Sequence, residues 1–395
     1  MKILLLGFFL FSSLFGAKVV DVSEKYESAV KCKVCHKRIV DEWENSWHAQ
    51  SHFDKDEYFR KSLEYVSRKT RKSLNATKIE CATCHNPRIS VTKTGQDYEI
   101  AAVMGLTKGS KVNKAVNDKS ISEGINCVVC HNIDKIHDEY DKTKRGINRV
   151  EWTQNGVMTG PYNDSQSPYH KTTSHKFMNT DPNKLCFVCH ANDRSVHGLV
   201  FTDMQSEYKG KKDCVSCHMG EKTEGYASTY KMYHGKAKKR MVRNHSFMGG
   251  HIKTFLKNAL TVELKQSGSN LYITLKNPQP HNIPSGFGSR ELLIEVTYKK
   301  GHKIVEQKSI SITRHYTRRR GKVSIAHLAT KASKDNSIPA KGKRVLKVQN
   351  NKKATNVEVT VYYRLVNDEV RSLLELKEAI WSRKNFIAQK SLKLH

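Results

Sequence analysis

The sequence predicts two domains, a mainly helical and irregular N-terminal domain followed by an all-β, sandwich-like domain that ends in a helix. The chain has 395 residues, a length that suits about two domains. All ten cysteines lie between residues 32 and 217. From about residue 256 apolar and polar residues alternate with the two-residue period of a strand. We therefore place the domains at residues 18–254 and 255–395.

The N-terminus has the pattern of a secretory signal peptide over residues 1–17. Met1 and Lys2 precede an apolar run from Ile3 to Phe15, and a charged chain resumes at Lys18. An uncleaved anchor is the alternative, but the run is shorter than the roughly 20 residues that span a bilayer. The pattern predicts export, cleavage and a periplasmic location.

Every cysteine belongs to one of five copies of the pattern Cys-x-x-Cys-His. We number these motifs in chain order: Cys32, Cys35 and His36; Cys81, Cys84 and His85; Cys127, Cys130 and His131; Cys186, Cys189 and His190; Cys214, Cys217 and His218. The spacing lets two thiols bond the vinyl groups on one edge of a porphyrin while the histidine becomes the proximal iron ligand. Zinc sites and redox-active pairs do not require that histidine. We therefore predict five covalently bound haem c groups in the first domain.

Haem also accounts for the composition. Only 37% of the residues are hydrophobic, and the formal net charge is +31. Such a chain is poor in core-forming side chains. Five large, mostly apolar porphyrins would complete the core of the first domain, which should then not fold without them.

Histidines outside the motifs are candidates for the second axial position of each iron. Nine such histidines precede residue 255, and neutral imidazole is a common axial ligand. The six that local context favours are His48, His52, His170, His175, His245 and His251. We expect a helix over residues 43–52 that places His48 and His52 on one face, four residues apart. Met178 and Met248 are alternatives, but the surplus of histidine favours bis-histidine haems.

Several segments resemble multihaem cytochromes c. Trp43-x-x-Ser46-x-His48 between the first two motifs resembles the haem module of the tetrahaem cytochrome of ammonia oxidisers. Residues 123–131, 160–170 and 245–251 are similar to segments of the wider hydroxylamine oxidoreductase-like group. The resemblance covers roughly residues 28–252 and implies that His48, His170, His245 and His251 are distal ligands. It departs from the catalytic relatives, because there are five motifs rather than eight and none replaces its histidine by lysine.

The C-terminal part has the pattern of an antiparallel sandwich. Strand candidates are residues 260–264, 271–275, 291–298, 303–312, 344–349 and 357–361. Asp368 could cap a closing helix whose apolar face includes Leu373 and Trp381. The segment from His281 to Gly286 resembles a His-x-x-Pro-Thr-Gly loop that follows haem modules in related cytochromes. That resemblance adds His281 as a distal candidate, against the alternative of a plain turn.

Charge and motifs together predict an electron-transfer protein. Basic clusters at residues 209–212, 236–243 and 318–322 favour an acidic redox partner, a small anionic substrate or a peripheral anionic membrane surface. An exported protein is not expected to bind nucleic acid. The alternatives are an oxidoreductase that converts a small nitrogen or sulfur compound at a haem with an open axial position, and a structural subunit of a larger respiratory complex.

Overall fold

The computed structural model describes residues 28–137, 145–230 and 237–395. The predicted signal peptide lies outside these residues. Within them, no helix combines the length and the apolar character that a membrane span requires.

Short helices and two-stranded ribbons make up the N-terminal part. In chain order its elements are α1 (Ala29–Glu44), α2 (Glu57–Thr70), α3 (Leu74–His85), α4 (Gln96–Val103), α5 (Lys111–Val116), α6 (Cys127–His131), β1 (Ile133–Ile136), β2 (Val150–Trp152), β3 (Met158–Gly160), β4 (Thr172–Ser174), α7 (Phe177–Thr180), α8 (Asn183–His190), β5 (Asp193–Arg194), β6 (Val200–Thr202), α9 (Met204–Glu207), α10 (Cys214–His218), β7 (Thr223–Tyr226), β8 (Lys239–Val242) and α11 (Lys253–Leu256).

Each haem motif lies on one of these helices. The second to fifth motifs end α3, α6, α8 and α10, so that the motif histidine is the last helical residue, while the first lies inside α1. Local capping favours these helices, because the side chains of Ser28, Ser73 and Asp213 accept hydrogen bonds from backbone N–H groups of the first turn. Helix α1 departs from helical geometry at His36, which is the first proximal histidine.

The prediction of a helix over residues 43–52 is wrong. Helix α1 ends at Glu44, and the Asn45 N–H instead bonds the Trp43 carbonyl oxygen. The following residues form turns, so His48 and His52 do not share a helical face. The four-residue spacing of Trp43 and Trp47 is typical of a helix, but the two side chains have different neighbours. Trp43 donates to the Ile125 carbonyl oxygen at 2.8 Å, whereas Trp47 stacks on His251.

Strands dominate the C-terminal half, as predicted. They are β9 (Thr261–Ser267), β10 (Asn270–Lys276), β11 (Glu291–Lys300), β12 (Lys303–Thr317), β13 (Lys331–Asp335), β14 (Lys343–Gln349), β15 (Asn356–Arg364) and β16 (Asn385–Lys393), with α12 (Asp368–Leu373) between the last two. One antiparallel sheet has the order β14-β10-β9, and the other has the order β13-β12-β11-β15-β16.

The two sheets share one core. Leu271, Ile273 and Leu275 on β10 are 0% exposed and belong to the same cluster as Leu292 and Ile294 on β11. The period-two pattern of these strands therefore marks their buried faces. Tyr58, Tyr65 and Val66 of α2 join this cluster, so a helix from the N-terminal half packs against the strands.

The chain ends in a strand and not in the predicted closing helix. Helix α12 ends at Leu373, and Glu375 has a φ of 55°, in the left-handed region where a helix cannot continue. Asn367, rather than Asp368, is its N-cap and accepts from the Val370 N–H. Asp368 instead forms ion pairs with Arg364 and Arg371. The last strand, β16, then pairs with β15 at the edge of the larger sheet.

Candidate haem-binding site

A connected cavity of about 1440 Å³ runs through the N-terminal part and reaches the strand-rich half. All five motif histidines line it, together with six others: His48, His170, His245, His251, His281 and His327. None of the ten cysteines, all of which lie in described residues, forms a disulfide. All the motif cysteines except Cys81 also line the cavity, so most of the thiols and all the motif imidazoles that covalent haem requires converge on one space.

Four of the five motif histidines face a second histidine across this cavity. The ring centroids are 6.4 Å apart for His36 and His170, 6.4 Å for His190 and His48, 6.5 Å for His131 and His245, and 6.3 Å for His218 and His281. The four pairs have similar tilts of 29 to 36°. Two imidazoles that share one metal ion at about 2 Å from each nitrogen place their centroids roughly 6 Å apart. Each pair thus leaves room for one metal ion.

Hydrogen bonds at Nδ1 orient six of these eight rings. His36, His131 and His218 bond the carbonyl oxygens of Ala227, Thr159 and Met248 at 2.7, 2.7 and 2.5 Å. Their partners His170, His245 and His281 bond the carbonyl oxygens of Lys171, Arg243 and Asn282 at 3.4, 3.1 and 2.9 Å. Because a carbonyl only accepts, Nδ1 donates in these bonds, which leaves Nε2 of the neutral ring as the nitrogen that can bind a metal ion. Metal-ligating histidines are held in this way.

Burial favours the neutral form of three of the imidazoles that line the cavity. It lowers the pKa of His48 to about 3 and that of His85 and His245 to about 4, with neighbouring histidines adding to the effect. Neutral imidazole is the form that coordinates a metal.

Three sequence-predicted candidates do not face a motif histidine. The His52 ring packs on Phe53 at 3.9 Å and accepts the Asp54 N–H at Nδ1. His175 lies with Nε2 3.2 Å from an Asp134 carboxylate oxygen. His251 lines the cavity but stacks on Trp47 with ring centroids 5.0 Å apart. The structure therefore brings His48, His170, His245 and His281 opposite motif histidines, and it gives His52, His175 and His251 other neighbours.

The loop that carries His281 is held against the segment before the fifth motif. The buried Asn277 side chain donates to the carbonyl oxygens of His281, Ile338 and Pro339 at 2.8, 3.1 and 2.9 Å. The Lys209 N–H, just before the fifth motif, donates to the Pro280 carbonyl oxygen at 2.6 Å. The loop thus joins the strand-rich half to the segment that leads into α10, and it is not a plain turn.

Sequence reasoning missed two residues that line the cavity from the strand-rich half, Arg290 and His327. Arg290 follows the His281 loop directly, and His327 interrupts the apolar run from Ile325 to Ala329. Such an interruption was a usable signal, because a histidine among buried apolar residues needs a partner.

Buried donors without partners adjoin the cavity where the two halves meet. Nη1 of Arg290, Nε of Arg383 and Nε2 of His251 are buried and have no hydrogen-bond partner among the described residues. The Arg383 side chain also donates to the His251 carbonyl oxygen at 3.2 Å. Buried charges are normally paired. Two guanidinium groups and an imidazole therefore fit an acidic group such as a haem propionate.

Contacts between thiols show which motifs adjoin. Cys32 of the first motif lies beside Cys127 of the third, Cys84 of the second beside Cys189 of the fourth, and Cys186 of the fourth beside Cys214 of the fifth. Cys130 of the third motif is also close to both cysteines of the fourth. The fourth motif therefore adjoins the second, third and fifth. Taken with the facing imidazoles and the unpartnered donors, the residues present fit covalent haem.

The comparisons with known proteins agree with this geometry. Residues 31–132, which include the first three motifs, match the family described as "Cytochrome c554 and c-prime". The fold resembles the crystal structure of a penta-heme cytochrome c552 from Thermochromatium tepidum, with 18% identity, a TM-score of 0.68, and coverage of 93% of this chain and 98% of that one. No curated protein matches the chain. The family match and the shared fold support a multihaem cytochrome c.

Other structures match only part of the chain. A superoxide reductase in the oxidised state covers 35% of this chain and 89% of its own, with 9% identity and a TM-score of 0.18. The superoxide reductase of Nanoarchaeum equitans covers 35% of this chain and 93% of its own, with 12% identity and a TM-score of 0.17. A likeness at these TM-scores supports no inference about this chain.

Proposed function

We propose that this protein is an exported pentahaem c-type cytochrome that passes electrons between redox partners in the periplasm. The observation that carries the proposal is the set of four facing histidine pairs, each with space for one metal ion. Bound haem would supply an iron that changes oxidation state by one electron. Two axial imidazoles leave an iron no open position, and such an iron transfers electrons without binding a substrate.

The chain holds the groups as an electron carrier requires. His36, His48, His131, His170, His190, His218, His245 and His281 are proposed as axial ligands, and the ten motif cysteines as the attachment points. Ligation from both halves of the chain, through His281, would lock the strand-rich half onto the haem region. Rigid ligands are favourable, because they limit the rearrangement that each electron transfer must drive.

The adjacency of the motifs supports a branched route. The first motif adjoins the third, and the fourth adjoins the second, third and fifth. We infer that a haem held by the fourth motif would have the most haem neighbours, with which it would exchange electrons. His190 of the fourth motif faces His48, an imidazole whose pKa is lowered to about 3 by burial.

An acidic protein is the proposed partner. Arg319, Arg320 and Lys322 lie exposed on the turn after β12. By contrast, part of the basic cluster before residue 243 is neutralised within the chain, because Lys238 and Arg240 both pair with Asp164. Exposed positive charge accelerates encounters with an acidic partner and loses that effect in salt.

A redox titration of the purified protein, with haem counted independently, tests the carrier function. We expect five haems per chain, each reduced by one electron, and rapid redistribution of electrons among them after partial reduction. Reduction by an acidic electron carrier should slow as ionic strength rises. Steady-state turnover of a small nitrogen or sulfur compound that is faster than electron exchange with the acidic carrier would contradict the proposal. It would favour an enzyme.

A further inference from the structure

The second motif differs from the other four. Its histidine, His85, lines the cavity, but no sequence-predicted candidate faces it. The His85 ring stacks on Phe59, with centroids 3.9 Å apart and planes 15° apart. A stacked ring covers the face of the imidazole and leaves the in-plane direction of Nε2 open. Phe59 therefore does not block the direction along which Nε2 would bind a metal ion.

His327 is delivered to this end of the cavity by the strand-rich half. It lies on the short 3-10 turn Ala326–Leu328, whose flanking residues Ile325, Ala326 and Leu328 are 1, 2 and 3% exposed. The His327 carbonyl oxygen accepts the Val196 N–H at 2.9 Å, and the ring packs against Phe201 with centroids 4.7 Å apart. The turn is therefore anchored on the N-terminal part, and its imidazole lines the same cavity as His85.

A short series of contacts places the two histidines together. Gly146 lies against the second motif so closely that an added Cβ would come within 2.4 Å of the Thr83 carbonyl oxygen. The neighbouring Arg145 pairs with Asp193 at 3.1 Å. Asp193 starts the β5-β6 ribbon, and this ribbon carries both backbone and ring contacts to His327.

Electrostatics agree with this placement. Burial is the main cause that lowers the pKa of His85 to about 4, and proximity to His327 and His190 adds to it. His190 already faces His48. Burial likewise lowers the pKa of His327, so its imidazole is neutral and able to coordinate iron.

We propose that His327 is the second axial ligand of the iron held by the second motif. The proposal rests on the proposed function, because it requires haem at that motif. Two of the five distal ligands, His281 and His327, then come from the strand-rich half. Both would bind the second half of the chain to the haem groups, and no iron would be left open.

The test compares the spin state and carbon monoxide binding of holoprotein variants. We expect the wild-type protein to be entirely low-spin and to bind no carbon monoxide when reduced. In His327→Ala, one haem of the five should become high-spin in the ferric state and bind carbon monoxide when ferrous. His327→Met should keep that haem six-coordinate but raise its reduction potential, since methionine favours the ferrous form. This second variant keeps the test decisive if the alanine variant does not fold.

His302→Ala is the matched control, because His302 lies exposed on the turn between β11 and β12. It should leave spin state and carbon monoxide binding unchanged. One high-spin haem in the wild-type protein that is unaltered in both His327 variants would overturn the proposal. The carrier function would still stand if the protein contained five redox-active haems. Fewer than five haems in the wild-type protein would instead refute the proposed pentahaem carrier.

Discussion

The two halves of the chain are held together by different means. In the strand-rich half one apolar cluster unites both sheets, and residues such as Ile294, Val296 and Val359 are fully buried in it. In the N-terminal half the apolar residues form separate smaller clusters around α2 and α3, around Val128, and around Trp43. Between these clusters lies the cavity that the motif histidines line. The difference teaches that one half contains its own core, whereas the other leaves the centre of its core to the cofactors.

The junction shows that the halves are not independent. Tyr58 of α2 belongs to the core of the sheets, and its hydroxyl hydrogen-bonds the Ser289 hydroxyl at 3.0 Å. The next residue, Phe59, faces the other way and stacks on His85. Helix α2 therefore contacts both the core of the sheets and the second motif.

Withholding haem should have the largest effect. A chain in which all ten motif cysteines are replaced by serine should lose stable structure over residues 28–252, because the cavity would collapse without the porphyrins. The strands β9 to β16 should keep their protection, since their core contains no cofactor. Hydrogen exchange followed by mass spectrometry measures both halves in one experiment. Equal loss of protection in the two halves would break the comparison.

Truncating the core of the sheets should have the next largest effect. Ile294→Ala removes a side chain that is 0% exposed and should lower the free energy of unfolding by about 2–5 kcal/mol. The measurement is the opening free energy of the slowest amides of β11 and β15. Ile304→Ala is the control, because Ile304 on β12 is 56% exposed and should cost less than about 0.5 kcal/mol. A similar loss in both variants would show that the sheets do not depend on this core.

Local pattern predicted more of this molecule than long-range geometry. The motifs are contiguous in sequence, and β10 and the first part of β15 alternate polar and apolar residues, so both are visible without a structure. Strand β16 escaped prediction because it is an edge strand that buries only Asn385 and Ile387.

The distal histidines show where sequence reasoning ends. His48 was chosen as part of a helix that does not exist, yet the structure places it opposite His190. Which histidine faces which motif depends on how distant segments meet, and spacing does not encode that. His327 was missed for the same reason, since its nearest partners are Phe201 and the backbone of Val196.

The contact between α2 and the segment that follows α12 offers a smaller, pH-dependent test of the junction. Glu57, 4% exposed, accepts the N–H groups of Lys377 and Glu378, both at 2.9 Å. Burial alone would raise the pKa of this carboxyl, but these two backbone donors outweigh it and hold the pKa below its usual 4.5. The ionised form is therefore the bound form. Its contribution is full above about pH 4.5 and is lost as the pH falls through the lowered value.

Glu57→Ala should weaken the junction by about 1–3 kcal/mol at neutral pH, because it removes the charged acceptor of two part-buried N–H groups. The measurement is hydrogen exchange at the amides of Lys377 and Glu378. These amides should also lose protection in the wild-type protein on acidification, and Glu57→Gln should remove most of that acid dependence. Glu64→Gln, on the same helix but in an ion pair with the part-exposed Lys61, is the control. Acid dependence that persists unchanged in Glu57→Gln would assign it to other groups.

The smallest expected effect is on a reduction potential. Arg290 belongs to the strand-rich half, yet its guanidinium lies close enough to His190 to contribute, after burial and His218, to lowering the pKa of that histidine. A buried positive charge stabilises the reduced form of a nearby iron, so Arg290→Gln should lower the reduction potential of the haem at the fourth motif. We expect a shift of roughly 30–60 mV, about a tenfold change in the one-electron equilibrium at its upper end. Spectroelectrochemical titration measures it. Arg371→Gln, which removes an exposed arginine paired with Asp368, should leave all potentials unchanged. If Arg290→Gln also leaves them unchanged at full haem content, the strand-rich half supports the haem region mechanically and does not set its potentials.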